Sequence, residues 1–288
     1  MSEEPAALPR SFGFELVRAT EAAAMAAGRW MGMGERAAAD RDAAAHMVAA
    51  LAGVEMDGRV AVGDEGKAGP EALLVTGQPL GTGRGPSVDV LLDPVDGLDM
   101  LVHGYPGAVA AIAAAPRGAV WAPAPAVYMD KIVVGPDVAP ALVPECLSAP
   151  AAWTLALVAR MKGRRGPDLT VFVLDRPRHA ELIREIRAAG ARVMLRADGD
   201  IIGALRACLP GAGVDILMGI GGTVEGLLAA CAIRAVGGAM LVRLAPQSSA
   251  EREAVAAAGL DTRAVLTGSD LVRSQSVYFV VTGITDTS

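Results

Sequence analysis

Val88-Asp89-Val90-Leu91-Leu92-Asp93-Pro94-Val95-Asp96-Gly97 runs from an apolar strand into two acids that are separated by a proline and closed by a glycine. The proline fixes the backbone between the acids. The glycine permits the tight geometry from which Leu98-Asp99-Met100-Leu101 starts as a helix. A strand that delivers carboxylates to a helix start suits a hard divalent cation bridged to a phosphate, because the cation takes the acid oxygens and the phosphate takes the unpaired backbone N–H groups. One Asp-x-x-Asp is also an ordinary turn, so its meaning depends on what the rest of the chain supplies.

Size and charge narrow the field. The chain has 288 residues, of which 52% are hydrophobic, enough for one large domain or two modest ones. A net charge of -6 without any Lys/Arg block argues against nucleic acid as the main partner, while phosphate-bearing small molecules need only a few local cations. Cys146, Cys208 and Cys231 show neither CxxC nor metal-finger spacing and read as buried thiols in a reducing compartment. The acidic N-terminus has no signal-peptide pattern and no apolar run reaches the length of a membrane span, which places the protein in the cytoplasm with no membrane partner.

Periodicity gives the organisation. After a loose tail over residues 1–10, helices are expected over about 12–30 and 37–52. A short strand at Val60-Ala61-Val62 ends in Gly63-Asp64-Glu65-Gly66, with a return strand at 72–76, and apolar strands follow at 108–115 and 131–134. The Pro-dotted stretch from Gly135 to Pro150 separates a metal-binding α/β half, 1–140, from a substrate-binding α/β half, 141–288. The second half alternates strand and helix: strands at 169–174, 193–195, 214–218, 239–244 and 276–282, helices at 178–189, 200–208, after 222 and at 249–258. That is a doubly wound pattern, and the fold class is α/β.

Acids gather at three turns of the first half, Glu35, Asp64 with Glu65, and Asp93 with Asp96, and Glu225 is a fourth candidate. All-oxygen ligation selects magnesium or manganese, and the lack of a His/Cys cluster argues against zinc. Such a set suits metal-assisted phosphoryl transfer to water. Arg176-Pro177-Arg178-His179 follows a strand, where paired guanidinium groups grip a phosphate, and Asp198-Gly199-Asp200 either caps a helix or binds sugar hydroxyls. Gly219-Ile220-Gly221-Gly222 is not a dinucleotide fingerprint, since Val224 stands where the third glycine belongs and no acid follows at the next strand. His46 and His103 have no nucleophile partner in view.

Asp93-Pro94-Val95-Asp96-Gly97 resembles the acidic signature of the lithium-sensitive, metal-dependent phosphatases. Further stretches narrow the resemblance to class II, bacterial-type fructose-1,6-bisphosphatase: Arg18-Ala19-Thr20-Glu21, Gly81-Thr82-Gly83-Arg84-Gly85, Tyr128-Met129-Asp130-Lys131, the Arg176 and Asp198 motifs, the glycine run with Glu225-Gly226, and Thr282-Gly283-Ile284-Thr285. The resemblance implies a layered α/β/α/β/α sandwich, homodimers or homotetramers, Mg2+ or Mn2+, and removal of the 1-phosphate from fructose 1,6-bisphosphate. It implies metal ligation by Glu35, Asp93, Asp96, Glu225 and either Asp64 or Glu65, with Asp93, Asp96 and Glu65 in the catalytic role. It further implies that Gly97, Tyr128, Arg176, Arg178, Asp198, Asp200 and Gly222 bind the sugar phosphate.

Departures from the pattern fall around the metals. Leu98 occupies the place of a threonine whose hydroxyl orients the attacking water, and leucine has no hydrogen-bonding group. Asp99 is the candidate to take over that role. Glu35 stands for an aspartate and Arg36 for a lysine, and the family's acid loop has become Gly63-Asp64-Glu65-Gly66-Lys67-Ala68-Gly69-Pro70-Glu71. The chain stops soon after Thr285, which implies a missing or shortened edge of the second sheet. A paralogue acting on another phosphorylated sugar or nucleoside derivative, and a weakly catalytic sugar-phosphate-binding subunit, are the alternatives to the phosphatase.

Overall fold

A computed structural model of the chain describes residues 8–9, 11–68 and 72–286. The expected tail, apart from Leu8 and Pro9, and Gly69-Pro70-Glu71 of the acid loop lie outside these. The chain divides into two units, Met1–Ala124 with Val272–Ser288, and Pro125–Leu271. The division expected at 140/141 thus falls earlier, ahead of the Tyr128 strand, and the last segment returns to the first unit.

In the first unit α1 (Phe12–Gly28) and α2 (Arg36–Leu51) precede β1 (Asp57–Val60), the single turn α3 (Glu65–Ala68), β2 (Pro79–Leu80), β3 (Ser87–Asp96), α4 (Leu98–Val102) and β4 (Val109–Pro116). In the second come β5 (Tyr128–Val134), α5 (Ala151–Met161), β6 (Thr170–Leu174), α6 (Ala180–Ala188), β7 (Arg192–Arg196), α7 (Asp200–Cys208), β8 (Ile216–Gly222), α8 (Thr223–Val236), β9 (Ala239–Leu244), α9 (Ser249–Ala257), β10 (Leu266–Thr267) and α10 (Gly268–Leu271). β11 (Tyr278–Gly283) completes the sheet of the first unit.

That first sheet has the order β11-β4-β3-β1-β2. Val88, Val90 and Leu92 of β3 and Ala110, Ile112 and Ala114 of β4 turn one face to the alanine-rich α1 and α2, where Leu16, Ala19, Ala23, Met47 and Leu51 fill the core. Small side chains along both helices let them pack closely on the sheet, and apolar burial at about 25 cal/mol per Å² is the main stabilising term. Asp89 is buried in β3 but satisfied: it accepts from Arg59 Nε at 2.8 Å and Gly118 N at 2.6 Å. The segment expected as a return strand, 72–76, is not a strand. β2 pairs with β1 instead, and 72–76 wraps the Asp64 turn, Asp64 N donating to Leu74 O at 2.9 Å. The side chains of Asp64 and Thr76 compete for the backbone groups a ladder needs.

The second sheet has the order β10-β9-β5-β8-β6-β7 and is mixed: β6 runs parallel to β7 and β8, while β5 is antiparallel to β8 and β9. Ile132, Val134, Val171, Val173, Ile216 and Met218 face α5 and α6. On the other face Gly203 of α7 lies against Phe172 and Gly226 of α8 against Met129, close approaches that only glycine allows. Helices therefore cover both faces. The molecule is α/β with two mixed sheets, and its units carry the layers α/β and α/β/α.

Candidate functional site

The acids of the first unit are placed by backbone geometry. β3 pairs with β4 through Asp93↔Ala111 and then Asp96↔Val109, one more step on β3 than on β4, which is a β-bulge. Residues three apart on a regular strand point to opposite faces, but Ala111 and Val109 are two apart and share one, so the bulge brings Asp93 and Asp96 to the same face. Pro94 has no N–H to lose from the ladder and tolerates the irregularity. Asp93 Oδ1 accepts from Val95 N at 3.2 Å, which fixes the turn. Gly97, with φ 94°, is the left-handed N-cap of α4; a Cβ there would stand 2.7 Å from Met100 Cε.

Asp64 and Glu65 are placed by Gly63, where any Cβ would run into Glu65 Oε2 and Leu74 O. Asp64 Oδ1 accepts from Leu74 N at 3.3 Å, and both Glu65 oxygens accept from Thr76 N at 3.2 and 3.3 Å. Burial pushes the Asp64 carboxyl above the usual range, and the Glu65 charge adds to that. Asp40 of α2, a residue the sequence did not single out, is raised by burial and then by the charge of Asp64, which shows the two acids to be neighbours. Its signal is the spacing Arg36-x-x-x-Asp40 on one helix face. Glu35 is exposed at the N-cap of α2 and makes no cap hydrogen bond through its side chain. Arg36 pairs with Asp99. Leu98, in the place of the threonine, is half-buried and packs against the apolar core.

The donor set suits a hard cation in kind, being all carboxylate oxygen, and the acids that burial and like charge push up are those a nearby cation relieves. Among the described residues no three His, Cys, Asp or Glu side chains form a closed metal-holding group. Backbone N–H groups hold Asp64, Glu65 and Asp93 in this open arrangement.

The second unit brings its expected residues together more tightly. Tyr128 at the start of β5 pairs with Gly222 at the end of β8. The Arg178 guanidinium lies 5.2 Å from the centre of the Tyr128 ring, a cation–π contact, and donates through Nε and Nη2 to Ile220 O at 3.2 and 2.9 Å. Arg176 Nη2 stands 4.0 Å from Asp198 Oδ1. Burial, followed by the charge of Glu225, raises the Asp198 carboxyl, and Arg176 opposes the rise, so Arg176, Asp198 and Glu225 are close neighbours. Asp200, by contrast, is buried at the first position of α7 and ion-paired with Lys131.

Three further groups support this unit. His179 donates Nδ1–H to Leu174 O at 2.7 Å and accepts at Nε2 from Ile220 N at 2.8 Å, which fixes the neutral tautomer; burial pushes its pKa down. Glu251 of α9 accepts from Val127 N at 2.8 Å and Tyr128 N at 3.0 Å through Oε1, and from Gln247 N at 2.8 Å through Oε2. It sits three residues after the N-cap Ser248, the position of a capping-box acid, but its carboxylate anchors the Tyr128 strand. Thr223 Oγ1, at the first position of α8, is buried with no hydrogen-bond partner among the described residues. A hydroxyl directly after the glycine run is the signal for it. The glycine run itself clears space: a Cβ at Gly219 would come within 2.9 Å of His179 Nε2. Cys146, Cys208 and Cys231 are buried and free, and burial pushes the Cys208 and Cys231 thiols up to about 12, leaving them unreactive.

No helix among the described residues is long and apolar enough to cross a membrane. The family model described as bacterial fructose-1,6-bisphosphatase, glpX-encoded, matches residues 10–288. Among curated relatives, the class 2 fructose-1,6-bisphosphatase of Haemophilus influenzae is 38% identical over 290 residues, covering 96% of this chain and 86% of the relative. Fructose-1,6-bisphosphatase 1 class 2 of Escherichia coli K12 is 36% identical over 289 residues, covering 96% of this chain and 84% of the relative.

Proposed function

The chain belongs to the bacterial, glpX-encoded fructose-1,6-bisphosphatase family, and on that premise we propose that it is a metal-dependent phosphomonoesterase that removes the 1-phosphate of fructose 1,6-bisphosphate. The cation is Mg2+ or Mn2+, held by Asp93, Asp96, Asp64, Glu65 and Glu35. Glu225, in the second unit, is assigned as a ligand on the resemblance alone. When bound, the cation supplies the positive charge that acidifies an attacking water and stabilises the departing oxygen.

The chain's own groups do the rest. Asp93 and Asp96 present carboxylates on one strand face, and Glu65 offers a further acid to accept a proton from water. Asp99 orients that water in place of the hydroxyl that Leu98 lacks, with Arg36 holding its carboxylate in position. Arg176 and Arg178 bind phosphate oxygens, Asp198 accepts from sugar hydroxyls, and Tyr128 and Gly222 line the sugar. The protein works in the cytoplasm as a homodimer or homotetramer.

The observation that carries this reading is the gathering of Tyr128, Arg176, Arg178, Asp198 and Glu225 in one unit of a family member. Phosphate release is the test, measured over a panel of sugar phosphates that includes fructose 1,6-bisphosphate, in Mg2+ and then Mn2+, against Asp96→Asn. Turnover of fructose 1,6-bisphosphate by the wild type alone is the expected result. Preference for another phosphorylated sugar or nucleoside derivative overturns the substrate, and binding without any turnover overturns the enzyme.

A further inference from the structure

α1 buries Leu16, Ala19, Ala23 and Ala27 against its own unit, and its outward face is not polar throughout. Phe14, Arg18, Glu21 and Met25 are exposed, and steps of four, three and four residues align them in one stripe along the helix. The stripe ends in Phe14, 73% exposed, and Met25, 75% exposed, the two most exposed large hydrophobic side chains among the described residues. Between them the charges are poorly matched. Arg18 reaches Glu15 only at 3.5 Å with its side chain 74% exposed, and Glu21 makes no ion pair among the described residues. Both belong to Arg18-Ala19-Thr20-Glu21, a motif that the phosphatase chemistry does not use. Its Thr20 is tied inward to Thr282, while the two charges point out.

The order of the stripe is apolar, positive, negative, apolar, and it is symmetric about the point between Ala19 and Thr20. A two-fold axis at that point, with a second α1 antiparallel to the first, sets Phe14 against the partner's Met25 and Arg18 against the partner's Glu21. The axis repeats each contact, as a contact between like surfaces requires. Val17 and Ala22, half-buried beside the stripe, match in the same way. Parallel pairing is disfavoured, because it sets Arg18 on arginine and Glu21 on glutamate. Methionine sulfur against an aromatic ring is favourable, and the matched stripe is about 17 Å long.

We propose that the outward face of α1 is a contact between two copies of this chain, antiparallel across a two-fold axis. Phe14 and Met25 are its apolar anchors, and Arg18 and Glu21 set its direction. It gives the homo-oligomer proposed above one contact face and rests on that reading only in requiring a second copy.

Sedimentation velocity of the full chain is the test, with circular dichroism as the control for folding. The wild type sediments as a dimer or tetramer. Arg18→Glu and Glu21→Arg each put like charges face to face twice, and the dissociation constant of this contact rises about a hundredfold. Arg18→Glu/Glu21→Arg restores opposite charges and brings it back to within about tenfold of the wild type. Disulfide trapping reads the geometry independently of charge. Phe14→Cys and Met25→Cys proteins form a disulfide-linked dimer when mixed under mild oxidation, and neither does so alone, because two copies of one position lie about 17 Å apart. The native thiols are buried and give no background. Oligomers that neither reversal weakens, a double variant that does not recover, or a mixture that traps no disulfide overturn the proposal and leave the homo-oligomer standing. Trapping in Phe14→Cys alone overturns it as well, since the helices then meet in another register. Should a reversal variant unfold, the trapping decides. A monomeric wild type refutes both the contact and the homo-oligomer.

Discussion

The two candidate sites hold their polar groups differently. In the second unit, side chains meet side chains, Lys131 with Asp200, Arg176 with Asp198 and Arg178 over Tyr128, while Glu251 spans three backbone N–H groups. In the first, Asp64, Glu65 and Asp93 are held by backbone N–H groups at turns shaped by Gly63, Pro94 and Gly97, and burial with a neighbouring negative charge raises the carboxyls of Asp64 and Asp40. A site that receives a neutral hydroxyl can complete its own charge balance, whereas one that receives a cation keeps an excess of negative charge that the cation offsets.

The sharpest way to break this contrast is Asp93→Asn. Asparagine keeps the acceptor for Val95 N, so the turn and Tm are retained, while removal of one negative charge from the acid set lowers kcat about a thousandfold in phosphate release. A loss of Tm with activity retained would make the aspartate a turn residue only. Next in size, Glu251→Ala strips the acceptor from the N–H groups of Val127, Tyr128 and Gln247 and destabilises the protein by about 3 kcal/mol in urea unfolding. KM rises as Tyr128 loses its anchor, and an unchanged unfolding midpoint would show that water replaces the carboxylate.

A smaller change sharpens the comparison from the other side. Leu98→Thr restores a hydroxyl at the start of α4 and raises kcat about tenfold, at a stability cost of about 1 kcal/mol for lost packing against the core. No gain in kcat would mean that Asp99 already orients the water. The smallest effect concerns His179. Its pKa is lowered in the fold, so the unfolded chain binds more protons below about pH 6.5, and stability present above that pH is lost as pH falls toward the lowered value. His179→Gln should flatten the slope of Tm between about pH 7 and 5. An identical slope would assign the pH dependence elsewhere.

Local chemistry was readable along the chain. Pro94 and Gly97 specify the acid turn by themselves, and the helices at 200–208 and 249–257 follow from their own periodicity. The unread features depend on partners far away in sequence. That Asp93 and Asp96 share a face requires the register with β4, and the burial of Asp200 requires Lys131, 69 residues earlier. The anchoring of Tyr128 requires Glu251, 123 residues later. The stretch 72–76 has strand composition but gives its backbone groups to the acid turn. α5, Ala151–Met161, carries its own signs in Pro150 at its N-cap and an apolar stripe, but the proline-rich segment before it breaks the periodicity. The final strand has no local sign of which sheet it enters.

That strand carries a consequence for biosynthesis. β11 pairs with β4 over six residues, Thr20 and Thr282 share a hydrogen bond of 2.7 Å, and Phe12 meets Tyr278 edge to face. On the ribosome, α1 and β1 to β4 emerge first but wait for their last strand until all of Pro125–Leu271 has been made. The part of the chain translated second is therefore the first that can finish folding, and through that interval the unpaired edge of β4 is the stretch most in need of a chaperone.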